Sequence, residues 1–202
     1  MRERVTHVLL WAMVLTGGMV VGAKLFDLRV LVGAWSLSPP ESLSLLPYGP
    51  RWPVDTGDFF IPLSGAYLLT SLAALLVAWP TPFKYRGLIL LSFATCFVAL
   101  VITVTQMWPR NDALWAVAKS APGALLDRAA VVQMVREWVA LDWIRVGLTF
   151  SGFVSAIRAI SVPFPARSAW QQESAGPVAK AVYAIGLLGV VAFVVYFVRA
   201  VL

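Results

Sequence analysis

The sequence predicts an all-α, polytopic membrane protein: an up-down bundle of four transmembrane helices followed by a fifth, C-terminal transmembrane helix. The 202-residue chain is 60% hydrophobic and only 13% charged, whereas a soluble domain carries about a quarter charged residues and therefore has a polar surface. The mean hydropathy is +0.81. Five apolar segments each approach the roughly 20 residues that a helix needs to cross about 30 Å of hydrocarbon.

The five predicted spans are residues 5–23, 61–79, 87–108, 138–161 and 181–198. The helical pattern of the first span can extend past Lys24 towards Trp35. Proline, which does not continue a regular helix, follows the first four spans at Pro39, Pro80, Pro109 and Pro163. We therefore predict a four-span unit over residues 1–161, a linker over 162–177 and a separate C-terminal transmembrane helix over 178–202.

The first span has one alternative interpretation. Arg2 and Arg4, the apolar run and the small residues at 21–23 imitate a cleaved signal peptide. The adjacent Gly17 and Gly18 are more typical of a transmembrane helix that packs closely against a neighbour. We therefore expect this span to be retained.

The basic residues predict the orientation. With five spans, the N-terminus and the loops after the second and fourth spans share one side of the membrane. Short cytoplasmic loops collect lysine and arginine, so we expect the N-terminus in the cytoplasm, the C-terminus outside, and a bacterial cytoplasmic membrane as the location. In this orientation the acidic residues on the cytoplasmic side are only Glu3 and Glu173. The basic residues on that side are Arg2, Arg4, Lys84, Arg86, Arg158, Arg167 and Lys180.

Residue counts exclude several kinds of chemistry. One cysteine, Cys96, cannot form an intrachain disulfide or a CxxC redox motif. One histidine, His7, cannot supply two axial haem ligands or a histidine-rich metal cage, so no metal site is expected. The net charge of +6 follows from bases in the loops, and we expect no nucleic-acid partner.

The predicted fourth span carries two charges at membrane depth. Asp142 and Arg145 are three residues apart and so lie on one helical face. Only 12 uncharged residues separate Arg145 from Arg158, and that is about 18 Å of helix, too short to cross the hydrocarbon. Either Arg158 or Arg145 therefore extends outward to the headgroups, or Asp142 and Arg145 lie below the outer headgroups. Because a charge facing lipid costs several kcal/mol, we expect the two side chains to pair and face the other helices. They are candidate functional residues; the alternative is an ion pair that only holds the helices together.

Other polar and aromatic residues are expected near Asp142 and Arg145, at the outer end of the predicted helices. Lys24 and Asp27 repeat the three-residue spacing, either as an interfacial anchor pair or as part of a site. Asn111 is a cap or a site residue, and Asp58 and Asp112 are predicted helix N-caps. Six of the nine tryptophans fall near this end, as an aromatic belt or as the wall of a pocket: Trp35, Trp52, Trp108, Trp115, Trp138 and Trp143.

Two short stretches carry a family resemblance. Residues 108–115 read Trp-Pro-Arg-Asn-Asp-Ala-Leu-Trp, and residues 138–145 read Trp-Val-Ala-Leu-Asp-Trp-Ile-Arg. They resemble the anthrone-oxygenase-like family of small four-span membrane proteins, which has a Pro-x-Asn-x-x-Leu turn after its third span and, at its fourth, a tryptophan followed seven residues later by an arginine. The resemblance covers about residues 5–161, and the matching residues are Pro109, Asn111, Leu114, Trp138 and Arg145. The fifth span and the proline-rich first loop depart from the family.

The resemblance implies oxidation of an aromatic ketone by dioxygen without a cofactor. Such a reaction needs a base, a partner for the developing oxyanion and a dry aromatic pocket. On this basis Asp142 is the candidate base and Arg145 and Asn111 are the oxyanion partners. The candidate walls are Trp115, Trp138 and Trp143. Because Arg145 would weaken Asp142 as a base, Lys24 or Asp27 is the alternative.

A second class of function stays open. In that interpretation the four helices form a non-enzymatic membrane module that binds a lipid, a quinone or another apolar small molecule. The fifth helix, with Gly186 and Gly189 close to one face, would then dock on a partner membrane protein. A transporter is less well supported because the inner, cytoplasmic half of the predicted bundle lacks ionisable residues.

Overall fold

The computed structural model describes residues 1–47, 54–120 and 127–170. Within these ranges the chain forms four long helices and no strand. We label them α1 (Arg2–Trp35), α2 (Thr56–Ala78), α3 (Phe83–Ala118) and α4 (Arg128–Ser161). The predicted all-α fold with four long apolar helices is confirmed. The predicted fifth span lies outside the described residues and stays a prediction.

Helix α1 runs straight through the charged Lys24 and ends at Trp35, as the longer of the two predicted limits allowed. Its course includes one π-helical segment, Asp27–Leu31. A π-helical turn holds an extra residue, so it turns the side chains that follow to a different face of the helix. The position of this segment was not predicted.

Helix α2 begins five residues earlier than predicted because Asp55 caps it. The Asp55 carboxylate accepts hydrogen bonds from the backbone N–H groups of Gly57 (2.6 Å) and Asp58 (3.2 Å). The Asp58 carboxylate in turn accepts from the Asp55 N–H at 3.0 Å. This reciprocal arrangement is a capping box. The prediction of Asp58 as the N-cap was wrong by one helical turn, since Asp58 is the second member of the box.

Helix α3 continues past the predicted stop at Pro109 and ends at Ala118. Directly before this proline lies a second π-helical segment, Thr103–Met107, after which the α-helix restarts at Trp108. A proline is tolerated in the first turn of a helix, where its missing N–H is not needed. Asp112 therefore lies inside the helix and is exposed, and its prediction as an N-cap was wrong.

Helix α4 begins at Arg128, ten residues before the predicted limit, with the Asp127 side chain accepting from the N–H of Ala130 at 3.2 Å. Its 34 residues correspond to about 51 Å of helix, longer than the hydrocarbon of a bilayer. The buried face of its middle turns carries Trp138, Asp142, Val146 and Thr149.

The helices contact one another in a ring: α1 packs against α2 and α4, and α3 packs against α2 and α4. These contacts fit the predicted up-down four-helix bundle, which stays a prediction, and we refer to the four helices together as the bundle. One core surrounds Tyr67, with Leu10, Met13 and Ile89. A second core, which we call the tryptophan cluster, lies where α1 ends and α4 begins, and it contains Trp35, Leu43, Leu46, Met107, Leu114, Trp115 and Trp138.

Large apolar side chains cover the outside of all four helices. Leu15 on α1 is 62% exposed, Leu69 on α2 67%, Leu91 on α3 49% and Phe150 on α4 51%. Apolar surface of this extent is rare on a soluble monomer. All four helices are also long and apolar enough to cross a bilayer. The structure thus fits an integral membrane protein.

The described part of the predicted linker packs against the helices. The Phe164 ring meets Tyr85 edge to face at 5.6 Å, and Trp170 meets Phe164 at 6.0 Å. The guanidinium of Arg2 lies 5.6 Å from the Trp170 ring. Residues 162–170 therefore contact the end of the bundle opposite the tryptophan cluster. The rest of the predicted linker lies outside the described residues.

Candidate functional site: a cationic cavity

Asp142 and Arg145 pair inside the four helices. Arg145 Nη1 lies 3.0 Å from Asp142 Oδ1, and their side chains are 12% and 3% exposed. The neighbouring Trp143 and Ile144 are 57% and 52% exposed. Successive helical residues are rotated by about 100°, so this alternation directs the ion pair inwards and its neighbours outwards.

Lys24 and Asp27 on α1 approach the same pair. Both are buried, at 7% and 8% exposed. Lys24 interacts electrostatically with Arg145, Asp142 and Asp27, and Asp27 interacts with Asp142, Lys24 and Arg145. The structure thus brings together two cations and two carboxylates from helices more than a hundred residues apart in sequence. Their formal charges cancel, which reduces the cost of burying them.

Several polar atoms of this group have no hydrogen-bond partner among the described residues. They are Asp27 Oδ1, Asp142 Oδ2 and Arg145 Nε, each fully buried. An unpaired buried polar atom costs about 1–3 kcal/mol, and more when it is charged. Such atoms need a water or a ligand partner, or they are kept for a functional reason.

A cavity of about 260 Å³ lies beside this group and is bounded by all four helices. Lys24 and Arg145 are the only charged residues that line it within the described part of the chain. Most of the wall is apolar and comes from α2 and α3, with Phe60, Leu68 and Trp108 as examples. The Lys24 ammonium lies 5.2 Å from the centre of the Phe60 ring. The cavity therefore offers positive charge to a largely apolar guest.

Both π-helical segments fall next to this cavity. Asp27 opens the segment on α1, and Thr103, which lines the cavity, opens the one on α3. Single π-helical turns within α-helices are frequently found at functional sites. Sequence reasoning missed both segments, because one added residue in a turn leaves no composition signal.

The other predicted site residues lie in the tryptophan cluster. Trp138 Nε1 donates a 2.6 Å hydrogen bond to Asn111 Oδ1, and the Trp138 ring meets Trp35 edge to face at 4.9 Å. Trp115 is buried in the same cluster. None of Asn111, Trp115 and Trp138 lines the cavity. They close one end of the bundle, together with Leu43 and Leu46 of the first loop.

The prediction that Trp143 forms a wall of the pocket is corrected by its position. Its side chain points away from the helices because it is one residue, and so about 100°, past Asp142. The aromatic walls are Trp108, one of the six tryptophans expected as a belt or as a pocket wall, and Phe60, which sequence reasoning missed. Gly65 was also missed, although an isolated glycine in an apolar helix is a recognisable signal.

Comparison with known proteins agrees with the resemblance seen in the sequence. The sequence profile of the anthrone oxygenase family matches residues 53–155, just over half of the chain. The match includes α2, α3 and most of α4, and with them Asn111, Trp138 and Arg145, but not Lys24 or Asp27 on α1. No curated protein and no solved structure matches the chain. The chain belongs to the anthrone oxygenase family.

Proposed function

We propose that this protein is a membrane-embedded, cofactor-independent oxygenase that acts on an enolisable aromatic ketone bound in the cavity. The observation that carries the proposal is the presence of two cationic side chains, Lys24 and Arg145, in an otherwise largely apolar cavity. Membership of the anthrone oxygenase family supports the reaction class.

The proposed reaction converts a ring CH₂ into a carbonyl at the expense of dioxygen. A proton leaves the CH₂ group, and the electron pair delocalises onto the ketone oxygen as an enolate. The enolate carbon bonds to one oxygen atom of dioxygen, which accepts two electrons and, with a proton, becomes a hydroperoxide. Loss of water from the hydroperoxide leaves the second carbonyl, so one ketone and one O₂ yield one quinone and one H₂O.

Lys24 is our candidate for the group that removes the proton: its free amine takes the proton and becomes the ammonium that, with Arg145, faces the enolate. It lines the cavity, whereas an arginine stays protonated in proteins and cannot act as a base. Asp142 does not line the cavity, and one of its oxygens is engaged by Arg145. We therefore favour Lys24, one of the two alternative bases, over Asp142.

Arg145 is the candidate oxyanion partner. Its Nη1 is held by Asp142, while its Nε has no partner among the described residues. We assign Asp142 as a positioning residue, because it contacts Arg145 rather than the cavity. Asn111 is not included, since its Oδ1 already accepts from Trp138 and it lies outside the cavity wall. A charge fixed in a dry site stabilises an enolate far more than the same charge in water.

The test uses purified protein in lipid nanodiscs with an anthrone, following O₂ uptake and quinone absorbance after subtraction of the rate in empty nanodiscs. Lys24→Met is expected to lower kcat by about 10²- to 10⁴-fold, the usual contribution of a general base. Arg145→Lys keeps the charge but loses the planar guanidinium group with its several N–H donors. We expect kcat to fall about 10²-fold, the usual effect of losing an oxyanion donor. Arg29→Gln is the matched control: it removes one exposed positive charge from α1 and should keep the wild-type rate.

Asp142 needs a separate readout, because a purely structural role would also lower the yield of folded protein. We expect Asp142→Asn to lower kcat with little change in KM, and Asp142→Glu to restore much of the loss. A Lys24→Met variant with the wild-type rate would remove Lys24 as the base. Wild-type protein that gives no more quinone than empty nanodiscs would contradict the oxygenase itself.

The alternative is a non-enzymatic module that binds a lipid, a quinone or a partner membrane protein. The same cavity supports a small-molecule version of it, because two of its lining residues, Ile61 and Leu69 of α2, are also exposed. The partner surface was expected on the fifth helix, which lies outside the described residues. Binding without turnover in the experiment above would favour this alternative.

The proposed orientation puts the N-terminus in the cytoplasm and the tryptophan cluster on the outer side. Support comes from the bases Arg2, Lys84 and Arg158, which lie on helices or at helix starts at the opposite end of the bundle. Single cysteines placed at Lys84 and at Lys119, in a Cys96→Ala background, test this in intact cells. An impermeant thiol reagent should label only the cysteine at position 119.

A further inference from the structure

The cavity meets the outside of the protein on one flank, between α2 and α3. Ile61 and Leu69 of α2 line the cavity, yet they are 49% and 67% exposed. Leu100 and Thr103 line the facing side from α3. Of the four neighbouring helix pairs, α2 and α3 have the least extensive contact. The opening thus lies in the apolar belt that fits the hydrocarbon of a bilayer.

The end of the bundle above the cavity is closed within the described residues. Trp35, Leu43 and Leu114 of the tryptophan cluster are each 0% exposed. The first loop is held across this end by a bidentate ion pair in which Arg128 donates to both Glu41 oxygens, at 2.7 and 3.0 Å. A guest would have to displace this packed cluster to reach the cavity from the aqueous side.

Gly65 keeps the cavity open. A Cβ added at this position would meet no atom within 4 Å. Other glycines differ: at Gly152 a Cβ would lie 2.5 Å from Thr95 Oγ1, and at Gly17 it would lie 3.1 Å from the Tyr67 ring. Those two allow helices to pack closely, whereas a side chain at Gly65, which lines the cavity, would project into empty space.

We propose that the cavity admits its guest sideways from the lipid, between α2 and α3, and that Gly65 determines the size of guest it can hold. The guest is a hydrophobic molecule that dissolves in the bilayer and carries one acidic oxygen. This inference takes Lys24 and Arg145 as binding groups from the proposed function but does not depend on turnover.

The acidic oxygen follows from the difference between the cavity and lipid. A neutral hydrocarbon gains little on leaving lipid tails for an apolar wall, since the two environments are alike. An ionised or hydrogen-bonding oxygen gains the attraction of two cations at low dielectric, which lipid tails do not provide. The charged part of the cavity, at Lys24 and Arg145, therefore selects among molecules dissolved in the membrane. The apolar part of the cavity, at Gly65, limits the size of the molecule that fits.

Cys96 serves as a built-in reporter of access, since it lines the cavity and is the only cysteine in the sequence. Protein in liposomes is treated with neutral, lipid-soluble N-phenylmaleimide or with anionic, impermeant sulfonatoethyl methanethiosulfonate on both sides. Each rate is divided by the rate for the protein unfolded in dodecyl sulfate. We expect the neutral reagent to be favoured about tenfold or more. Equal normalised rates would overturn access from lipid, particularly because the cations would attract the anionic reagent along any aqueous path.

A second reporter covers the case in which Cys96 is too buried to react. Ser64→Cys in a Cys96→Ala background places the thiol elsewhere on the cavity wall. The same preference for the neutral reagent is expected. Failure of both thiols to react with the neutral reagent would also overturn the proposal.

Gly65→Leu tests the size limit against a matched control. It should slow labelling by N-phenylmaleimide about tenfold, because leucine fills space at the cavity wall. Gly147→Leu, at an exposed position where an added Cβ also meets no atom within 4 Å, should label at the wild-type rate. Equal rates for the two variants would contradict the role given to Gly65.

Protection from labelling tests the chemical class of the guest. Anthracene-9-carboxylate should protect Cys96 at about tenfold lower concentration than 9-methylanthracene, a neutral molecule of similar shape. Lys24→Met should remove most of that difference. Equal protection in the wild type would overturn the acidic-oxygen requirement. These outcomes do not depend on turnover. Protection here, combined with no quinone above the empty-nanodisc rate in the separate anthrone experiment, would refute the oxygenase and leave this inference intact.

Discussion

The cavity region and the tryptophan cluster are neighbours on the same helices but differ in the charge of their buried polar groups and in the space left around them. Trp138 and Asp142 lie one turn apart on α4. The Trp138 indole donates to Asn111 and packs on Trp35. Asp142 has one oxygen paired with Arg145 and the other buried without a partner among the described residues.

We interpret the closely packed tryptophan cluster as the part that serves stability and the cavity region as the proposed site for a guest. The tryptophan cluster consists of closely packed apolar and aromatic side chains. The Trp138 indole has its partner in Asn111, whereas the buried Trp35 Nε1 has no hydrogen-bond partner among the described residues. Around the cavity, unpaired polar atoms, two π-helical segments and open space at Gly65 coincide. The matched family region runs through both, so the family motif by itself does not distinguish a structural residue from a candidate functional one.

The largest effect is expected from breaking the buried ion pair. Asp142→Ala leaves the Arg145 charge buried without its partner and should lower the free energy of unfolding by about 3–5 kcal/mol. The double variant Asp142→Leu with Arg145→Met removes both charges and should recover most of this stability while remaining inactive. Urea or dodecyl sulfate unfolding in mixed micelles, followed by tryptophan fluorescence, measures both.

A double variant as unstable as Asp142→Ala would show that the pair holds the helices together, which was the structural alternative. The contrast between the two regions would then be wrong, since both would serve stability.

A smaller effect is expected in the tryptophan cluster. Trp138→Phe keeps most of the ring contacts but removes the donor to Asn111, and should cost about 1–3 kcal/mol of unfolding free energy. Trp143→Phe is the control on the adjacent position, where the side chain is 57% exposed and no comparable loss is expected. Quinone formation by folded Trp138→Phe should stay within about twofold of the wild type, because Trp138 does not line the cavity.

Strongly reduced turnover in well-folded Trp138→Phe, at unchanged unfolding free energy, would place Trp138 in the site after all. The assignment of the cluster as a structural cap would then fail.

The smallest effect concerns the exposed ion pair at the end of the bundle. Hydrogen bonds from the Glu41 backbone and from Arg128 lower the pKa of the Glu41 carboxyl from its usual value. A carboxyl with a lowered pKa in the folded state stabilises the protein at a pH above its unfolded-state pKa. That stabilisation is lost as the pH falls through the folded-state pKa.

We therefore expect a small decrease in the Tm of the wild type on acidification below the ordinary pKa of a glutamate, relative to Glu41→Gln. Because the pair is exposed, high salt should reduce the difference between the two proteins. A Glu41→Gln variant with the same pH and salt profile as the wild type would mean that this contact does not hold the first loop.

The sequence predicted the properties that depend on neighbouring residues. The apolar length of the four helices follows from composition within each segment. The pairing of Asp142 with Arg145 follows from helical periodicity. The prediction of Trp143 as a pocket wall did not apply that periodicity, because the residue next to an inward-facing Asp142 points outwards. Helix ends were less well predicted. At Pro109 a local rule for stopping a helix was overridden by a π-helical turn, and at Asp58 the cap belonged to Asp55.

Only the tertiary structure decided which of the candidate residues share a site. Lys24 meets Arg145 and Trp138 meets Asn111 because particular helix faces pack together, and no local pattern specifies which face meets which neighbour. The cavity depends likewise on the space that four helices leave between them. Helix formation is determined within a few turns of one chain segment, whereas a cavity and its charges arise from the packing of several segments.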